Sequence, residues 1–294
     1  MSKTKFIVIL TILVTSGPAW AGAWTFPKGQ LWTKLTFMTQ DTGESYIGVP
    51  RPGIPRGERE PNLLNGEYSS RTFFFDTFYG VTDNFSIGVQ VPFFNQTFED
   101  QELTALFGGP VSSTGFSDIR VFLKHKVTNG PVVSSLKFGF KAPTGKFENT
   151  QGLIPVGEGQ WDFDFIVQVG RSFWPFSAYA NADIGYRLRM KNKEVERDPG
   201  DELFWIAEFG YQWTDKLLTV IKYEGIEGKE TTSLGLQLSG DVKKIQYISP
   251  AVLFNATESY AIEAGLRISI SGQYFPAGPV FQVGLNYQGN PFSR

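Results

Sequence analysis

The stretch WDFDFIVQVGRSFWPFSAYANADIGYRLR, residues 161–189, decides the fold of this chain. Trp161, Phe163, Phe165, Val167 and Val169 share one face of an extended segment, and Asp162, Asp164, Gln168 and Gly170 share the other. After a short turn around Phe173, Trp174 and Pro175, a second segment sets Ala178, Ala180, Ala182, Ile184, Tyr186 and Leu188 against Tyr179, Asn181, Asp183, Arg187 and Arg189. One face stays greasy and the other charged across the turn. Ahead of this pair, Lys141 opens a connection through Gly145, Gly152, Pro155, Gly157 and Gly159 that is long by hairpin standards. Short turns at one end and long loops at the other describe a transmembrane β-barrel.

The same code extends along the chain. Strands are expected at Gln30 to Thr39, Ser69 to Tyr79, Phe85 to Phe94, Asp118 to Thr128 and Val132 to Ala142, the last two joined through the turn dipeptide Asn129-Gly130. Further strands are expected at Glu202 to Trp213, Leu217 to Glu224, Ile245 to Phe254, Tyr260 to Ile270 and Val280 to Gln288. Asp41 to Glu67, with its four prolines, reads as a long exposed loop. Gln96 to Gly115 reads as a second loop whose apolar patch, Leu103 to Phe107, either packs on its neighbours or dips into the mouth of a pore as a short helix, and Met190 to Asp201 as a charged loop. Single-chain bacterial barrels have an even strand number, so Glu227 to Lys244 is assigned to an extracellular excursion. The expected fold is all-β: one transmembrane antiparallel up-and-down barrel of about twelve strands.

At the amino terminus, Lys3 and Lys5 precede an apolar run from Phe6 to Val14 and an A-x-A site at Ala19-Trp20-Ala21. This is the pattern of a cleaved signal peptide, residues 1–21, leaving 22–294 as the barrel domain. The apolar run is half the ~20 residues a spanning helix needs. The 32 Gly, 27 Phe, 11 Tyr and 7 Trp supply turns and aromatic girdles, and the absence of cysteine removes both a disulfide scaffold and a thiolate metal site. With 27 basic and 29 acidic residues and a net charge of −2, nothing in the charge balance points to nucleic acid.

Ala142-Pro143-Thr144-Gly145-Lys146, followed by Leu153-Ile154-Pro155-Val156-Gly157-Glu158-Gly159 and an aspartate-bearing strand, resembles the outer-membrane family named for the meta-pathway of phenol degradation. Tyr79-Gly80-Val81-Thr82-Asp83-Asn84-Phe85 and the Ser249-Pro250 strand are similar to the same family. The resemblance implies a Gram-negative outer-membrane channel for aromatic or poorly soluble compounds, and no catalytic residue. The final strand, with Phe281, Val283, Leu285 and Tyr287 in phase, resembles the signal read by the barrel-assembly machinery, although residues 289–294 follow it. Outer-membrane lipid, that machinery and a small solute are the expected partners. No cofactor is expected.

The phase of the strands places Asp76, Asp118, Arg120, Lys124, Lys137, Lys141, Asp162, Asp164, Asp183, Arg187, Glu208, Lys222, Glu263 and Arg267 inside. Such charges either line a wet pore or pair with one another and fill the interior, and twelve strands lie between the filled eight and the open sixteen. Asp162 and Asp164 stand about 7 Å apart on one face, which suits lumen lining better than acid/base chemistry. Phe74, Phe78, Phe122, Phe204 and Tyr179 also fall inside, either as a path for an apolar solute or as packing. His125, the sole histidine, is in phase with the lipid-facing Ile119, Val121 and Leu123, and no G-x-S-x-G, H-E-x-x-H or Walker loop occurs. The expected function is passive uptake through an outer-membrane channel. A filled anchoring barrel is the alternative, and an outer-membrane hydrolase the remotest.

Overall fold

Alternation of this kind can bury its charges only if the sheet closes on itself, and it does. The computed structural model describes residues 22–48, 50, 52–101, 104–105, 108–147 and 155–291. The barrel strands are β1 (Leu31–Thr42), β2 (Glu67–Thr82), β3 (Phe85–Glu99), β4 (Ile119–Thr128), β5 (Val133–Ala142) and β6 (Asp162–Ser172). They continue as β7 (Ala178–Arg189), β8 (Glu202–Thr214), β9 (Leu217–Ser233), β10 (Leu236–Asn255), β11 (Tyr260–Gln273) and β12 (Pro279–Gly289). Each pairs antiparallel with its sequence neighbours, and β12 returns to β1 from Leu31 opposite Gly289 to Thr39 opposite Phe281. The twelve-stranded ring therefore has no free edge.

The two faces differ as the pattern requires. On β6, Phe165 is 52% and Val167 48% exposed on the outer wall, whereas Asp162 and Gln168 are 0% exposed inside. The same outward band includes Phe209, Ile221, Val252, Ile262 and Val283. A continuous apolar outer wall over a closed hydrogen-bonded ring is what a bilayer accepts, since every backbone group finds its partner within the sheet.

Three connections are more ordered than the sequence suggested. Within the expected loop Asp41 to Glu67, Glu44–Tyr46 pairs with both Arg59–Pro61 and Phe275–Pro276, forming a small separate sheet at the long-loop end. Its Tyr46 is buried against Ile245, Tyr247 and Ala277. The expected loop Gln96 to Gly115 is shortened from both sides, because β3 runs to Glu99 and Val111–Phe116 pairs with its end. The excursion Glu227 to Lys244 is largely an extension of β9 and β10, which turn at Leu234 and Gly235, both with positive φ. Beyond the lipid both faces of a strand meet water. The two-residue alternation then disappears although backbone pairing continues. The expected signal peptide, most of the patch Leu103 to Phe107, and Leu153-Ile154 lie outside the described residues.

Candidate functional site

The interior is divided between a charge network near the long-loop end and an aromatic file near the short-turn end. The network begins with an awkward register. Arg120 on β4 stands directly opposite Lys141 on β5, and Lys124 opposite Lys137, two like-charge pairs that on their own oppose the pairing. The next strand corrects the first pair. Asp162 lies opposite Lys141 and accepts its ammonium at 3.0 Å, while Asp164 takes Arg120 at 3.0 Å and Arg187 at 2.7 Å. Glu202 on β8 then receives Arg187 at 2.7 Å, Arg189 at 2.9 Å and Lys243 at 3.0 Å. Buried charges persist only when paired in this way.

The loop between β5 and β6 is pinned into this network. Asp118 accepts the backbone N–H of Gly145 at 3.0 Å and of Glu158 at 2.9 Å, and its carboxylate also meets Lys141 at 3.2 Å. Glu158 reaches back to Lys141 and to Arg189. Burial alone would raise the pKa of Glu158; Arg189, Lys141 and Lys243 outweigh it and hold the carboxyl well below the usual carboxylate range. The two loop halves touch through backbone. A Cβ on Gly145 would lie 2.8 Å from Gly157 Cα and 2.9 Å from Ser117 Cα, so only glycine permits this crossing. The Pro-Thr-Gly-Lys and Pro-Val-Gly-Glu-Gly elements of the sequence thus serve to fold this loop inward.

Smaller groups engage most of the other inward charges. Glu208 accepts the Tyr179 hydroxyl at 2.8 Å and Lys222 at 3.1 Å; Asp183 accepts Gln168 Nε2 at 2.6 Å. Lys34 pairs with Glu263 at 2.7 Å, Gln90 donates to Asp76 at 2.7 Å, and Arg267, paired with Glu224, lies 3.7 Å above the Tyr247 ring. Phe74 meets Phe94 edge-on, and Phe204 lies beneath the Arg187 guanidinium at 5.1 Å. Among the described residues Lys137 makes no ion pair; its ammonium faces the Phe122 ring at 5.2 Å. The sole histidine, His125, is exposed on the outer wall, away from these groups.

A strap that the strand pattern did not reveal crosses the short-turn end. From β1 the chain turns back at Pro27 to Gln30, with Gly29 at φ 82°, and Phe26 N–H donates to Ser86 Oγ at 3.2 Å. Lys28 N–H and the Thr25 hydroxyl are both held by Asp83, through its carboxylate and its carbonyl oxygen respectively. The Lys124 ammonium donates to the carbonyls of Gly22 and Trp24. A Cβ on Gly22 would run into the side chain of Asn181 on β7. Since β1 and β7 are opposite one another in a ring of twelve, the strap spans the mouth. Ala23 is 0% and Phe26 1% exposed. The Phe26 ring stacks on Trp32 and Phe78, which also stand 6.1 Å apart, and Phe78 stacks on Phe122, so a triangle of rings continues through Phe122 to Lys137.

The candidate lining residues (Phe74, Asp76, Phe78, Arg120, Phe122, Lys124, Lys137, Lys141, Asp162, Asp164, Asp183, Arg187, Phe204, Glu208, Glu263 and Arg267), together with Tyr179 and Lys222, stand on the inner face of their strands, and Asp118 lies just ahead of β4. The structure adds Trp24, Phe26, Glu158, Lys34 and Lys243. Trp24-Thr25-Phe26, separated by two residues from the A-x-A site at Ala19-Trp20-Ala21, was the available signal for the strap.

A family model described as "Putative MetA-pathway of phenol degradation" matches residues 56–285. Among solved structures, an outer membrane channel from Pseudomonas putida F1 is similar over 92% of this chain and 98% of its own, at 14% identity and a TM-score of 0.70, a likeness of fold. More distant are the translocator domain of the autotransporter NalP from Neisseria meningitidis (8% identity, 96% and 94% coverage, TM-score 0.49) and the CymD monoaromatic hydrocarbon channel (9%, 90% and 88%, 0.47). No curated protein sequence matches the chain.

Proposed function

Because the chain belongs to the MetA-pathway phenol-degradation family, with a family match over most of its length, we propose that it is an outer-membrane channel admitting small aromatic, poorly soluble compounds without cofactor or energy coupling. The observation that carries this reading is the file of inward rings, Trp32, Phe78 and Phe122, beside the Lys137 ammonium. Weak, repeated stacking contacts let a ring enter and leave, whereas one tight site would trap it. Export through a signal peptide ending at Ala21, a single barrel domain over 22–294, and insertion by the barrel-assembly machinery belong to the same reading. So does a lack of enzymatic activity, supported by the outward position of His125, the one histidine available as a general base.

The paired charges and the inward loop favour a second reading, a filled barrel that anchors its loops without transport. Swelling of liposomes carrying the refolded protein separates the two. Passage of phenol ahead of a sugar such as arabinose is expected of the channel, and impermeability of heat-modifiable, folded protein to both would establish the filled barrel.

A further inference from the structure

Phe26 is placed unlike any other ring of the interior. It belongs to a terminal strap, yet it is as buried as a core residue, and its partners are strand residues fixed in the wall. Ring centres separate by 6.0 Å from Trp32 and 6.1 Å from Phe78, with interplanar angles of 17° and 29°, and the Phe78 to Phe122 step is 5.9 Å at 19°. Trp32 and Phe78 also stand 6.1 Å from one another at 46°, so Phe26 closes a triangle with them and fills one corner of it, and the file continues from Phe78 to Phe122. Ser86, 0% exposed, places a hydroxyl at this position that accepts the Phe26 N–H. At the far end the Lys137 ammonium faces Phe122.

We propose that Phe26 occupies a binding site for a solute ring, and that a phenol takes its place by displacing the strap. The inference rests on the channel reading above and adds to it where the solute sits and what keeps the site closed. The exchange is chemically even. A phenyl ring leaves, a phenyl ring enters, and the phenolic hydroxyl finds Ser86 Oγ once the Phe26 N–H has withdrawn. Trp32 and Phe78 lose no stacking partner in the process. The strap lies outside the strand ladder; the side chains of Lys124, Asp83 and Ser86 and the Asp83 carbonyl oxygen hold it, so it is displaced without opening the wall. A sugar of similar size offers no ring to the file and does not replace Phe26.

The chain has no cysteine, so Ala23→Cys places a unique thiol on the strap at a position with no exposure. Labelling by a small thiol reagent, in protein first shown to be heat-modifiable, is expected to accelerate several-fold and saturably with phenol and to ignore arabinose. Equal acceleration by both solutes, or by neither, overturns the proposal. Phe26→Ala provides an independent arm: phenol permeation should rise several-fold more than arabinose permeation, whereas an equal rise means that Phe26 is only a constriction and the proposal fails. Phenol-dependent labelling without permeation of either solute would leave the site standing and remove the channel. Phenol permeation with labelling indifferent to phenol would remove the site and leave the channel.

Discussion

Lys124 on β4 donates its ammonium to the carbonyl oxygen of Trp24 at 2.8 Å, tying the strap to the wall from inside the barrel. Hydrogen bonds to charged groups contribute about 1.5–3 kcal/mol each, and this ammonium makes two, to Trp24 and Gly22. Lys124→Met keeps the length of the side chain and removes both. Amide hydrogen exchange at Trp24 to Phe26 should accelerate by at least tenfold, and arabinose should begin to pass. Unchanged exchange at these amides would show that the strap is held elsewhere.

The faces of the strands can be tested at adjacent positions. Arginine in place of Val89, on the outer wall of β3, should cost about 2–4 kcal/mol near the bilayer midplane. Gln90→Arg should be tolerated, because Asp76 already accepts a hydrogen bond from that side chain at 2.7 Å. Urea unfolding in lipid vesicles measures both, and equal costs would contradict the assigned phase. Gln168 is a poorer control than its sequence suggests. It is fully buried between Ser135 and Asp183, so a larger side chain there meets both.

Lys141 neutralises three carboxylates, those of Asp118, Glu158 and Asp162. Lys141→Met leaves Asp118 and Asp162, both buried, short of a cation and should destabilise the barrel by about 3–5 kcal/mol. Adding Asp162→Asn should recover part of that loss. The temperature at which the unboiled gel band disappears reports the order: wild type highest, single variant lowest, double variant between.

Acid should release the loop between β5 and β6. The Glu158 carboxyl in the folded protein lies well below its unfolded value, so its contribution is complete above the unfolded pKa of about 4.3 and is lost as pH falls through the depressed folded value. Limited proteolysis of residues 143–161 by an acid-active protease should therefore rise only below that unfolded pKa. Glu158→Gln should abolish the dependence and leave the loop more readily cut at neutral pH. A loop equally resistant at all pH values in both proteins would mean that Asp118 alone retains it.

The barrel was legible because membrane-depth strands carry two different solvents on their two faces. Phe163, Phe165 and Val167 against Asp162, Asp164 and Gln168 allow only one closed arrangement. The upper parts of β9 and β10 were not legible, since Glu227, Lys229 and Lys244 stand in water on either face. The inward register of Arg120 and Lys141 was readable, but their opposition was not, because it depends on where the Asn129-Gly130 turn places β5 against β4. The strap escaped for a different reason. Trp24 and Phe26 occupy a segment too short for any period to register, and their partners, Tyr179 and Phe78, are remote in sequence.

The opposed cations of β4 and β5 also constrain the folding route. A hairpin carrying Arg120 against Lys141 and Lys124 against Lys137 repels itself at two rungs, each worth a few tenths of a kcal/mol or more in the unfavourable sense. Only when β6 arrives with Asp162 and Asp164 does the first repulsion become attraction, and only when the strap docks does Lys124 meet its carbonyls. The hairpin is therefore a poor nucleus. The β4–β5 hairpin reaches its full stability only with β6 paired beside it and the strap in place.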